Sequence, residues 1–252
     1  MTLRSRLVSA LMITVLAAPG SSMATQHESV RIDSSVAPHM RLHFTAVRAI
    51  RLFIIAGQLD GVPGSADWLM EHEIPPELPG EWAPYVADMR SYAEQAASAR
   101  HLVFAAAAVS EMARTCGDCH AANGVSDVFD EDLRPPPAGE SVSAQMQRHL
   151  WAADRMWEGL IGPSDAAWSR GTEKLAEIRL SSSDFAIAAE QEPALSYLLR
   201  RTREIGEEGS QADSRESRST LYGEFLSMCG DCHTLVGGGP APPRTVLPAA
   251  DQ

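Results

Sequence analysis

The sequence predicts an all-α protein made of two tandem four-helix bundles, and three observations carry that expectation. Apolar residues recur at three- and four-residue spacing through long segments rich in Ala, Leu, Met, Glu and Arg, while no stretch alternates as a strand would. The pentapeptide CGDCH occurs at 116–120 and again at 229–233, near the end of a helical pattern each time. The segment MRLHFTAVRAI at 40–50 overlays MQRHLWAADRM at 146–156, pairing Met40 with Met146, His43 with His149 and Ala46 with Ala152. Each half therefore opens with a His and closes with C-x-x-C-H, the layout of a duplication.

The elements follow in chain order. A first helix is expected from about Pro38 to Gln58, with Pro38 suited to a first turn and GVPG at 61–64 ending it. SADWLMEHE reads as a short helix with Ser65 as N-cap, and IPPELPG at 74–80 interrupts the chain. EWAPYVADMRSYAEQAASA and HLVFAAAAVSEMARTCGDCH give the third and fourth helices, divided near 98–101. Residues 125–141 are acidic and then proline-rich, as a linker would be. The pattern restarts with AQMQRHLWAADRMWEGLIG, SDAAWSRGTEKLAEIRL after Gly162-Pro163, PALSYLLRRTREIGEE, and SRESRSTLYGEFLSMCGDCH. The predicted layout is a leader at 1–24, a first bundle at 25–124, a linker at 125–141, a second bundle at 142–237 and a disordered tail at 238–252.

Cysteine usage restricts the chemistry. The only four cysteines are Cys116, Cys119, Cys229 and Cys232, two in each C-x-x-C-H. C-x-x-C alone can hold zinc, run dithiol redox chemistry or close into a disulfide, but a following His reads as c-type haem attachment. On a helix, positions i, i+3 and i+4 share a face, so Cys116, Cys119 and His120 can address one flat ligand, as can Cys229, Cys232 and His233. The thiols then bind covalently as thioethers, and His120 and His233 become the proximal iron ligands of two haem c groups. A four-thiolate zinc site would need no His in either copy, a thioredoxin-like centre would need a βαβ unit, and structural disulfides explain neither His.

The N-terminus has the layout of a secretory signal peptide: Arg4 and Arg6, an apolar stretch from Leu7 to Ala18, and a small-residue site ending at Ala24. Its apolar core is shorter than the roughly 20 residues that span a bilayer. Cleavage near Ala24 and a periplasmic location are expected, in keeping with covalent haem. The chain carries 33 Asp plus Glu against 21 Lys plus Arg. Such a balance argues against nucleic acid and anionic membranes as partners, and fits either plain solubility or redox partners with basic surfaces.

His43, Val47, Ile50 and Ile54 form an apolar stripe at i, i+4, i+7 and i+11, with Arg41, Arg48 and Arg51 mostly off it; His149, Ala153, Met156 and Leu160 repeat it. A His in a core-facing stripe must be hydrogen-bonded, ligating or costly. Its recurrence in both halves makes His43 and His149 the expected distal iron ligands. Met40 and Met146, one turn earlier on nearly the same face, stand as alternatives, and an open sixth position is a third. His27, His39, His72 and His101 have no counterparts in the second half and read as surface or local packing residues.

Two units, each with a haem motif on a fourth helix and a distal residue on the first, resemble the class II, cytochrome c-prime-like four-helix-bundle cytochromes. The resemblance implies His120 and His233 as proximal ligands, with Met40/His43 and Met146/His149 on the distal sides. The chain departs from the family in having AANG and TLVG after the motifs, where members often carry a basic residue. The function expected from six-coordinate haems is electron transfer rather than catalysis. The alternative is a gas-binding, sensor or di-haem peroxidase role at an open axial position.

Overall fold

The computed structural model describes residues 36–72, 79–125, 129 and 134–241, all within one compact unit. Among these residues the regular structure is all helical, without strands. Helices α1 (Val36–Ile55), α2 (Val62–Glu71), α3 (Ala83–Ser98) and α4 (Leu102–Ala122) make up the first half. Helices α5 (Val142–Ile161), α6 (Asp165–Ala176), α7 (Glu192–Gly209) and α8 (Arg215–Val236) make up the second. The leader, His27, parts of the 125–141 segment and the tail beyond 241 lie outside the described residues.

Local chemistry accounts for most helix ends. Ser141, Ser164 and Ser214 cap α5, α6 and α8, each hydroxyl accepting from the amide three residues on, at 3.2, 3.2 and 3.1 Å. At the other end of α8, Gly237 adopts φ 68°, the left-handed turn that stops a helix. Two expectations shift. GVPG does not act only as a terminator: Val62 and Pro63 begin α2, because a fixed proline φ is pre-organised for a first turn, and Ser65 is inside that helix and buried. α6 ends at Ala176 rather than near 180, and the chain beyond it leaves the helix with Ile178 and Leu180 buried against the core.

Val47, Ile50 and Ile54 on α1, and Ala153, Met156 and Leu160 on α5, are buried as the stripes predict. Each large aliphatic among them contributes about 1.5–3 kcal/mol by leaving water. Helices of both halves feed the same apolar core. α4 lies along α8, where Gly223 comes against Ala107 and Ser110, and the Ser110 hydroxyl donates to the Ser219 carbonyl. Small residues at this crossing let the two backbones approach closely. α1 also touches α8, and α5 touches α4.

Arg51, expected off the stripe, is instead 1% exposed. Its guanidinium donates to Tyr222 Oη and to Asp154, both at 2.7 Å, and lies over the Trp157 ring. Tyr222 Oη donates its own proton to the Ala153 carbonyl at 3.0 Å. A helical wheel cannot anticipate this, since the partners come from α5 and α8.

This network yields an ordering of variants. Asp154→Ala leaves a guanidinium in the core without its counter-charge and is expected to cost about 3 kcal/mol. Arg51→Met removes the charge itself, leaves Tyr222 bonded to Ala153 and Asp154 partly in water, and is expected to cost about 1 kcal/mol or less. Urea unfolding of both variants checks the order; Arg51→Met as the more damaging change would contradict it.

Candidate functional site

The four cysteines are free thiols, carried with their histidines on the last turns of α4 and α8. Burial, reinforced by the neighbouring thiol, pushes Cys116 up to about 12. Burial likewise raises Cys119, takes Cys229 to about 12 and takes Cys232 to about 11. These are neutral thiols in apolar surroundings, without the positive charge or helix N-terminus that stabilises the thiolate of a dithiol redox centre.

Each motif histidine is anchored by the other half. His120 Nδ1 lies 2.7 Å from the carbonyl oxygen of Ile161, the last residue of α5. His233 Nδ1 lies 2.6 Å from the carbonyl oxygen of Ile55, the last residue of α1. A carbonyl only accepts, so Nδ1 carries the proton in both rings and Nε2 is left with a bare lone pair. A C-terminal carbonyl has no intrahelical donor and sits at the negative end of the helix dipole, so it makes the imidazole a better ligand as well as orienting it.

The glycine of the pentapeptide makes this contact possible. A Cβ on Gly117 would overlap the Leu160 carbonyl oxygen, and one on Gly230 would lie 2.5 Å from the Ile54 carbonyl oxygen. Only a residue without a side chain lets α4 and α8 come this close to the ends of α5 and α1. Gly57, at φ 71°, turns the chain leaving α1 beneath Gly230. Asp118 ties the first motif laterally, to Arg114 at 2.6 Å and to Arg215 of α8 at 2.7 Å.

In the first half, a cavity of ≈ 470 Å³ brings together Met40, His43, Cys116, Cys119 and His120. That size falls within the roughly 300–1,000 Å³ of ligand and cofactor pockets. Phe44, Val47, Val86 and Met89 supply apolar wall, and Ile161 enters from the second half. Trp82 Nε1 donates to Asn123 Oδ1 at 2.7 Å, and Asn123 Nδ2 to the Cys119 carbonyl at 2.8 Å, holding the end of α4 against the start of α3. Sequence reasoning misses Trp82, Asn123 and Phe129, for which no motif exists, and reads His39 as a surface or packing residue. His39 is buried in this cavity wall. His101 is exposed.

His43 is buried, its Nε2 has no hydrogen-bond partner, and burial with the neighbouring His39 drives its pKa down to about 3. His149 stacks on Phe225 with centroids 5.2 Å apart, and neither of its ring nitrogens has a hydrogen-bond partner. Burial, with a smaller contribution from His233, lowers His149 to about 4. Both are neutral imidazoles whose lone pairs are unused, at equivalent places in the two halves. Met40 shares the first cavity, and Met146 is partly buried against the core, so the thioethers remain alternatives. In the first half the cavity brings the thiol pair of Cys116 and Cys119, the oriented imidazole of His120 and the unpartnered Nε2 of His43 to one place, a donor set that fits a haem.

Searches of protein-family models, curated proteins and solved structures find no match to this chain.

Glycine substitutions test the close approach. Gly117→Ala and Gly230→Ala force backbone apart at the motif and are expected to lower the unfolding free energy by about 1–3 kcal/mol. Gly64→Ala, in α2 with nothing within 4 Å of the added carbon, is expected to raise it by about 0.5–1 kcal/mol through helix propensity alone. Equal responses at the three sites in denaturant unfolding would contradict the assigned contact.

Proposed function

We propose that the chain is an exported di-haem c-type cytochrome of the cytochrome c-prime-like kind, which carries electrons between redox proteins through two six-coordinate haems. The observation that carries this reading is the repeated histidine geometry: in each C-x-x-C-H the Nδ1 proton is committed to a backbone carbonyl and Nε2 is left to bind. Cys116 and Cys119, and Cys229 and Cys232, are the attachment points; His120 and His233 are the proximal ligands; His43 and His149 are the distal ligands. A bound haem supplies one-electron chemistry at iron.

The chain's own residues determine the rest. His43 with His120, and His149 with His233, would hold each haem through two imidazoles, which would favour electron transfer over catalysis at a potential below that of Met/His cytochromes. Apolar walls of α1 and α3 restrict water around the first site. No helix among the described residues is long and apolar enough to cross a membrane. The net charge of −12 suits transient docking to a basic partner. The gas-binding or peroxidase reading requires the distal histidines to leave an axial position open.

Stoichiometry tests the proposal first. Expressed with c-type haem maturation, each chain is expected to bind two covalent haems by pyridine haemochrome assay, and C116A/C119A and C229A/C232A to bind one each. No haem in the unmodified chain would overturn the reading.

Carbon monoxide then tests the distal side. The ferrous protein is expected not to bind it, His43→Ala and His149→Ala to open one haem each, and Met40→Leu and Met146→Leu to change nothing, since these apolar swaps conserve volume. Binding at both haems of the unmodified protein would favour the gas-binding alternative.

A further inference from the structure

Among the described residues, His39, His43 and His72 make up a group of three potential ligands whose donor atoms all lie within 4.8 Å of one another. His39 and His43 stand at i and i+4 on one face of α1, with ring centroids 4.2 Å apart. His72 closes the end of α2, its centroid 4.9 Å from His39 and 5.4 Å from His43. Trp68 stacks on the His72 ring at 4.1 Å, and Arg90 donates to the His72 backbone carbonyl at 2.8 Å, so ring and backbone of the third residue are each held.

Hydrogen bonding within the group leaves it incomplete. His72 Nε2 and His39 Nδ1 are 3.2 Å apart and share one proton, while Nε2 of His43, the third ring of the group, is buried without a partner. A buried polar atom without a partner is uncommon and costly, and an ion between the three rings would satisfy this one. Burial also keeps His39 and His43 neutral, the form that ligates. Tetrahedral zinc, with bonds of roughly 2.0–2.1 Å, places its nitrogen ligands about 3.3 Å apart, close to the spacing His39 and His72 already have. An all-imidazole set selects zinc, copper or nickel and disfavours magnesium and calcium, which require oxygen. Among the described residues the second half has no such group. In the repeat, Gln145 stands where His39 stands in the first half, and its side chain is committed to the Arg179 amide at 2.8 Å and the Glu140 carbonyl at 3.2 Å.

We propose that His39, His43 and His72 form a binding site for a divalent first-row transition-metal ion, present only in the first half, and that this ion competes with the first haem for His43. Occupation of the site withdraws His43 from the distal position, so that the first haem gains an open axial site while the second is unaffected. The ion site stands on its own geometry; the competition rests on the di-haem reading above.

Zinc is the probe. Equilibrium dialysis of the purified holo-protein against zinc, with metal analysis, is expected to show one tightly held ion per chain. His39→Ala and His72→Gln are expected to weaken uptake more than tenfold with unchanged far-ultraviolet dichroism, while exposed His101→Ala binds as the unmodified chain does. Zinc is further expected to make one of the two ferrous haems reactive to carbon monoxide, and to have no such effect in His72→Gln. Absent uptake, or uptake indifferent to His39→Ala and His72→Gln, would overturn the site. Zinc bound with both haems still closed to carbon monoxide would overturn the competition. A chain that binds zinc as described but carries no haem would refute the cytochrome reading and leave the ion site standing.

Discussion

The organisation of the molecule depends on one contact made twice. The imidazole of each C-x-x-C-H motif caps the C-terminus of the other half's first helix, His120 on Ile161 and His233 on Ile55. The exchange explains why a glycine sits between the cysteines in both copies. It also means that the Nδ1 atom of each motif histidine is held by a carbonyl of the other half. The first helix of each half serves both sites, since it carries the proposed distal imidazole of one and its terminal carbonyl orients the proximal imidazole of the other.

Several other features serve this interlock. α4 and α8 cross on Gly223, Ser110 and Ser219, where small side chains permit backbone approach, and Arg215 reaches from α8 to Asp118 inside the first motif. Arg51 of α1 binds Asp154 of α5 and Tyr222 of α8 in a buried polar network. A buried charge of this kind adds little net stability but penalises any other arrangement of those helices, which suits two sites whose ligands must stay in register.

The helices are legible in the sequence because period and capping residues are local properties. The stripes through His43 and His149 and the last turns bearing the motifs can be read without knowledge of the tertiary packing, whereas Ser65, expected as a cap, lies buried inside α2. What cannot be read depends on partners far along the chain. Arg51 looks like a surface residue because its counter-charge and hydroxyl lie on other helices. The role of Gly117 and Gly230 needs the ends of α5 and α1 to be in place. His39 and His72 attract no notice for want of counterparts in the second half, and that asymmetry is what sets the first site apart. GVPG reads as a stop, yet proline favours the beginning of a helix as much as it prevents continuation.

The central claim is that two imidazoles flank each iron, one fixed by the opposite half and one from the helix that opens its own half. Electron paramagnetic resonance of the fully oxidised protein at low temperature tests it most directly, because spin state and ligand type are reported for both irons at once. The account predicts two low-spin ferric signals of bis-imidazole character and no high-spin component. An axial high-spin signal from either haem, or the absence of any haem signal, would contradict it.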